Sequence, residues 1–388
     1  MAGRFTKSGR TKRSEQYFDY SLLFIVLFLM GFGMIMIYST SSYEASMDYG
    51  DAAYYLKKQL FANVLGMIAM IFVANVPYHF WERFAVLGYL VSAVLICLVM
   101  TPLGVEVKGA RRWLDFGIGL RIQPAEIAKL CMILFLATMV CRIGRNIRTW
   151  KGLGVVMAFP LPIALMVWKI TDNMSSAVII LGIAVLMLFV ASPEYKKFIL
   201  VGAAGAAAVA AIVYAIASAP STEGLGFRGE RIRAWLDPEA YASGKGFQTL
   251  QALYAIGSGG IFGKGLGQSM QKLGFIPEAQ NDMIFSIICE ELGLFGAIAV
   301  ILLFLLLIWR FMIIANNAPD LFGALLVVGV MGHVSIQVIL NIAVVTNTIP
   351  NTGISLPFIS YGGSSVLFLL VEIGLVLSVS KSIRLKEV

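Results

Sequence analysis

The sequence predicts an all-α polytopic membrane protein of about ten transmembrane helices, with one long extracytoplasmic loop and both termini cytoplasmic. Three observations predict it. First, 59% of the 388 residues are hydrophobic and only 13% are charged, whereas soluble domains are about half apolar and about a quarter charged. Second, the mean hydropathy is +0.84. Third, apolar runs of about 20 residues recur along the whole chain, each long enough to cross hydrocarbon about 30 Å thick.

Residues 1–17 carry Arg4, Lys7, Arg10, Lys12 and Arg13 and read as a basic cytoplasmic tail. The first span, about 18–39, ends in IYSTSS; it is long and no small-residue cleavage site follows, so no cleavable signal peptide is evident. Spans at about 58–76 and 82–103 flank the short turn VPYHFWER, and 104–122 follow as a charged loop. Pro124 suits the first turn of the fourth span, which ends in a basic cluster of Arg142, Arg145, Arg148 and Lys151. The fifth and sixth spans, about 153–170 and 175–192, are joined by TDNM. The seventh, about 198–218, is rich in Gly and Ala, which allows close helix packing. Residues 219–281 form the long loop. The eighth and ninth spans cover about 283–310 and 321–341, and the tenth ends near 380, before a short tail at 381–388. The membrane domain is thus 18–380.

Ten spans place both termini on one side. With the N-terminus inside, about 16 Lys and Arg lie inside and about 14 outside; setting aside the six in the long loop, which obeys charge rules poorly, leaves about 16 against about 8. The long loop therefore faces outward. The net charge of +8 is spread over membrane loops, so it fits anionic lipid and the positive-inside bias rather than nucleic acid. The four cysteines lack CxxC spacing, and His79 and His333 lie far apart in sequence. Neither a cysteine zinc site, a disulfide framework nor a Ser-His-Asp triad is indicated.

Ionisable groups in or beside spans are costly and point to function. Here they are Glu126, Lys129, Asp172, Asp282, Glu290, Glu291 and Glu372. Asp282 stands where the long loop enters the eighth span. Glu126 and Lys129 share a helix face and can pair, either as a structural ion pair or as the lining of a polar cavity on the outer side. Glu290 and Glu291, roughly 12 Å deeper on the same helix as Asp282, read as packing contacts, as does Glu372. Arg228, Arg231, Arg233, Lys245, Lys264 and Lys272 of the long loop are able to bind anionic phosphate or simply to face anionic headgroups. GSGGIFGKGLG lacks the Walker spacing and reads as tight turns. SYGGSS, Ser360 to Ser365, breaks the polarity pattern before the tenth span, and irregular backbone there must be buried in protein or line a wet cavity.

Several stretches together resemble the SEDS family (shape, elongation, division and sporulation), the FtsW/RodA/SpoVE proteins of bacterial cell-wall synthesis. They are IYSTSS, GARRWLDFG, IQPAEIAKL, GFQTLQALYAIGSGGIFGKGLGQSMQKLGFIPEAQNDMIF, EELG and LPFISYGGSS, in family order over about residues 20 to 380. The resemblance implies a ten-helix fold and a peptidoglycan glycosyltransferase that polymerises lipid II. It implies a class B penicillin-binding transpeptidase as partner, alongside other membrane proteins of division or elongation. The family's essential aspartate matches Asp282, with Asn281 and Met283 replacing the family's Thr and Phe on either side. Gln123, Pro124, Glu126 and Lys129 keep a second motif whose Ser is here Ala125. In a third motif, TDNMSS keeps Asp172 but loses the Pro and Gly.

On this resemblance the catalytic residues are Asp282 as base, with Glu126 and Lys129 holding or tuning it. Substrate contacts fall to Arg111, Arg112, Trp113, Asp172, Arg228 and Arg231, and to Gln248, Lys272, Ser360, Gly362, Gly363 and Ser364. Going from an α-linked lipid diphosphate to a β-linked glycan inverts the sugar carbon, so one displacement and one base suffice. The diphosphate leaves with charge stabilisation, from arginines or a divalent cation such as Mg or Mn, and no organic cofactor is expected. IYSTSS and GQSMQKLGFIPEAQ favour the FtsW-like branch. The alternatives are a lipid II flippase, which would also use a wet cavity with intramembrane charges, and a non-catalytic division scaffold.

Overall fold

A computed structural model describes residues 18–107, 109–115, 117, 121–218, 226–244 and 246–383, with side chains omitted for Val107 and 226–228. The expected tail at 1–17, most of the tail at 381–388, Lys245 and the Arg228 side chain lie outside the described parts.

The fold is helical, in order α1 (Tyr20–Tyr49), α2 (Tyr54–Asn75), α3 (Tyr78–Glu82), α4 (Ala85–Leu98), α5 (Pro124–Ile143), α6 (Trp150–Met157), α7 (Pro160–Ile170) and α8 (Met174–Ala191). It continues with α9 (Tyr195–Ala217), α10 (Gly226–Leu236), α11 (Phe247–Gly259), α12 (Ile284–Asn317), α13 (Leu321–Val345) and α14 (Gly363–Lys381). Counting α6 and α7 as one span, nine helices among the described residues are long and apolar enough to cross a membrane, and α4 is a shorter apolar tenth.

Local chemistry sets the helix ends. Asp19 caps α1, Asn173 caps α8 and Asp320 caps α13, each accepting from a backbone N–H of the first turn. Pro124 opens α5, as its sequence position suggests. In the apolar 18-residue stretch of each helix, 72% of residues are buried in α14 and 67% in α13 but none in α9, so α13 and α14 form the centre of the bundle and α9 its outermost helix. α14 packs chiefly on α2, and α13 on α12, α8 and α5.

Four expectations need correcting in detail. α1 runs on to Tyr49 rather than ending near 39, because Thr40, Ser41 and Ser46 return their hydroxyls to backbone carbonyls one turn back and Gly50 then stops the helix with φ 67°. The fifth span is two pieces, α6 and α7, broken where Pro160 lacks a backbone N–H. The third is cut short at Leu98, and the loop that follows is an antiparallel sheet of β1 (Gly104–Val107), β2 (Ala110–Asp115) and β3 (Arg121–Ile122). The long loop is not loop throughout, since α10 and α11 lie within it.

Candidate active site

The site is assembled on the connector 346–362, which links α13 to α14 without regular structure. Its backbone polar groups have no ladder of their own, so side chains from distant elements satisfy them. Arg231 of α10 donates to the Asn351 carbonyl at 3.3 Å. Gln248 of α11 accepts from the Asn351 amide at 3.1 Å and donates to the Pro277 carbonyl at 3.4 Å. The Ser175 hydroxyl of α8 donates to the Thr352 carbonyl. Trp235 and Asn347 exchange hydrogen bonds, each side chain donating to the other's carbonyl. The connector thereby pins α8, α10 and α11 together.

Asp282 lies half-buried in the turn just before α12. Its placement comes from the backbone. The Asn341 amide of α13 donates at 2.7 Å to both the Asp282 and the Ile354 carbonyls, tying the turn to the connector. The Tyr361 N–H donates at 2.9 Å to the Gln280 carbonyl, closing a second tie. A Cβ added at Gly353 would lie 3.8 Å from Asp282 Oδ2, so the connector backbone runs directly past the carboxylate. Burial pushes the Tyr361 phenol up to about 12, which keeps it protonated and neutral at ordinary pH.

At its α14 end the connector meets the second expected pair. Lys129 and Glu126 form an ion pair at 2.8 Å, both almost fully buried, and the Ser365 hydroxyl donates to Glu126 at 3.3 Å. Gly362 N–H donates to Gln59 of α2 at 3.1 Å, and Gly363 begins α14. Ser360 turns inward, its hydroxyl accepting from the Leu356 N–H at 2.8 Å. Ser364 is buried.

The β-hairpin contributes a strap. Arg112 donates to the Thr171 carbonyl at 3.2 Å and to the Asp172 carbonyl at 2.8 Å, holding the turn in which Asp172 adopts φ 48°. Ser175, one turn further along, is the residue bonded to the connector. Arg112 and Asp172 thus belong to the same assembly as Asp282. Trp113 is half-buried opposite Val105. Arg111 is exposed and faces Glu106 across the hairpin at 3.6 Å.

Lys272 needs a correction. It is buried, with its ammonium 2.7 Å from Glu291 and 3.0 Å from the Ser39 hydroxyl, so its charge is already matched inside the protein and not offered to a diphosphate. Lys264 pairs with Glu290 at 2.7 Å in the same network. Glu290 and Glu291 therefore fasten the long loop to α12 and α1, as their depth suggested.

Some groups had no sequence signal. Asn341, Asn351 and Thr352 read as ordinary polar residues until the connector places them. His333 and Glu372, 39 residues apart, meet at 2.8 Å in the bundle core, and only their shared location inside spans hinted at it. Among the described residues no group of three or more His, Cys, Asp or Glu could hold a metal ion.

Comparison with known proteins agrees with this architecture. The FtsW/RodA/SpoVE family model, described as a cell cycle protein, matches residues 20–385. Stage V sporulation protein E of Bacillus subtilis is 39% identical over 94% of this chain and 98% of its own length. The probable peptidoglycan glycosyltransferase FtsW of Trichlorobacter lovleyi is 37% identical over 95% and 94% respectively. A chain from a solved peptidoglycan synthase complex, in a study of coordinated polymerisation and crosslinking, superposes with TM-score 0.76 at 28% identity, covering 94% of this chain and 98% of that one. The rod shape determining protein RodA of Thermus thermophilus superposes with TM-score 0.65 at 25% identity, covering 95% and 98%. The chain is a multi-pass membrane protein and belongs to the FtsW/RodA/SpoVE family of cell cycle proteins.

Proposed function

We propose that the protein is a peptidoglycan glycosyltransferase that polymerises lipid II by inverting transfer from an undecaprenyl diphosphate donor. The observation that carries this reading is Asp282, a carboxylate fixed at a membrane-helix entrance by Asn341 and flanked by the connector backbone. The acceptor hydroxyl attacks the donor sugar carbon on the face opposite the diphosphate. Its proton passes to the Asp282 carboxylate as the new bond forms. The departing diphosphate needs positive charge, and Arg231, bonded to the connector beside Asp282, is the arginine best set to supply it. Arg228 shares α10 with it. Arg112 keeps the 171–172 turn in shape, and the buried Glu126–Lys129 pair steadies the α14 end of the connector. A divalent cation, where one takes part, would arrive on the diphosphate, since the described residues offer no cluster of three or more His, Cys, Asp or Glu for it.

The site faces the extracytoplasmic side, an orientation supported by the bias of Lys and Arg toward the opposite loops. A class B penicillin-binding transpeptidase is the partner that crosslinks the strands. Support comes from the solved neighbour, a synthase complex in which polymerisation and crosslinking are coordinated. The deciding experiment is glycan-strand formation from labelled lipid II by the purified protein, with and without that partner. Strands are expected. Movement of lipid II across liposome membranes with no polymer would replace this reading with a flippase.

A further inference from the structure

α12 is broken at Gly293, and the long loop mends the break. In an unbroken helix the Leu294 and Phe295 N–H groups would donate to the Glu290 and Glu291 carbonyls. Here they donate instead to the Gly260 and Ile261 carbonyls, at 2.9 and 3.1 Å, and the Lys264 and Gly265 N–H groups take the two vacated carbonyls, at 2.9 Å each. A stretch of loop is thus spliced into the hydrogen-bond ladder of a membrane-spanning helix. The two carboxylates extend the splice. Glu290 accepts from the Met270 and Gln271 N–H groups at 3.2 and 3.4 Å, and Glu291 from the Ser269 N–H at 3.4 Å. Lys264 and Lys272 neutralise them, each at 2.7 Å. The Ile276 N–H, bonded to the Gln271 carbonyl at 2.9 Å, then leads the chain into the turn that carries Asp282.

The apolar side chains of the same segment turn the other way. Ile261, Phe262, Leu266, Met270 and Phe275 are all exposed, Phe262 to 84%. Leu294 and Phe295, whose backbones are bonded to 260 and 261, are exposed too, and they belong to a helix apolar enough to cross a membrane. The loop's apolar face therefore continues that of α12. Its depth follows from the helix. Glu290 stands 20 residues before Arg310, about 30 Å along the axis, which is the thickness of the hydrocarbon. Arg310 pairs with Asp19 at the start of α1, and a charged pair suits the far boundary. Residues 260–265, bonded at the level of Glu290 to Phe295, then lie at the near boundary. A loop in water can leave its backbone to solvent, whereas irregular backbone at hydrocarbon depth must find partners inside the protein. We infer that residues 260–275 form a re-entrant segment seated in the leaflet on the Asp282 side, with their exposed apolar side chains about 5–10 Å into the lipid. Lys264, held by Glu290, and Gln268 are the exposed polar side chains of the segment and sit at headgroup level. The surface meets lipid whatever the reaction, so the inference does not depend on Asp282 acting as a base.

The test is fluorescence quenching in liposomes that hold the full-length protein alone, without its native cysteines and with a bimane label at Phe262→Cys or Met270→Cys. Leu302→Cys, on the exposed face of α12, is the lipid reference, and Arg111→Cys on the exposed hairpin is the aqueous one. Labels at 262 and 270 are expected to be quenched by lipids bearing a nitroxide on the acyl chain as strongly as the label at 302, and to be shielded from iodide. Quenching by iodide to the level seen at 111, without a response to the nitroxide lipid, would overturn the inference. Iodide access that disappears only when the transpeptidase is reconstituted alongside would overturn it as well, since the apolar face would then be a docking surface for protein. If the cysteine-free protein does not fold, a benzophenone amino acid in place of Phe262 in the otherwise native chain decides. Light should then yield lipid adducts in liposomes of the protein alone. Their absence, where the same group in place of Leu302 does form them, would contradict the lipid seat.

Discussion

Asn341 does at residue scale what no motif announced: one buried amide donates to two carbonyls and so fixes the turn that carries Asp282. Substituting Asn341→Leu leaves both carbonyls buried and unpaired, at a cost of about 1–3 kcal/mol each. The expected outcome is a lowered melting temperature in detergent together with a kcat that falls more than KM changes, read by thermal unfolding and lipid II polymerisation. Lys272 gives a contrasting prediction. Breaking its buried pair with Glu291 costs about 3–5 kcal/mol, so Lys272→Met should destabilise the protein while the surviving folded fraction keeps its KM for lipid II. Asp282, Glu126 and Lys129 were legible in the sequence because a charge inside a span is expensive wherever it sits. Asn341, Asn351 and the His333–Glu372 pair were not, because their meaning depends on partners that only the fold brings close. Lys272 misled for the same reason, since nothing near it in sequence shows that Glu291 already holds its charge.

At the scale of elements, α12 is the instructive case. Its 34 residues are two helical pieces joined at Gly293, which adopts φ 68°. A Cβ there would fall 2.3 Å from the Gly263 nitrogen and 2.4 Å from the Ile261 carbonyl oxygen, closer than atoms pack. The break lets the long loop lie against the helix, where the Gly265 N–H reaches the Glu291 carbonyl at 2.9 Å. Gly293→Ala therefore combines a left-handed backbone with a clash against main chain, and should sharply lower the yield of folded protein, measured by fluorescence-detected size exclusion. Periodicity and length found the spans, because hydrocarbon thickness constrains them directly. They missed the β-hairpin, the two loop helices and the continuation of α1, all of which depend on local hydrogen bonding that hydropathy does not report.

For the whole molecule, the connector between the two most buried helices gathers groups from α8, α10 and α11 and lies beside the turn before α12, so the site belongs to the bundle rather than to any one loop. The orientation of that bundle is directly measurable. In a variant without its native cysteines, Arg111→Cys on the exposed hairpin should react with a membrane-impermeant maleimide added to intact spheroplasts. Arg145→Cys, in the basic turn after α5, should react only after the membrane is opened. The reverse pattern would turn the protein over and remove the extracytoplasmic site.

The central claim, that Asp282 is the base of a lipid II polymerase, is tested most directly by Asp282→Asn in the purified full-length protein with its transpeptidase partner. The asparagine keeps the shape of the side chain and cannot take the proton. Polymerisation of labelled lipid II should fall by about a hundredfold or more while lipid II binding and the folded state persist. Glycan strands formed at the wild-type rate by this variant would contradict the account.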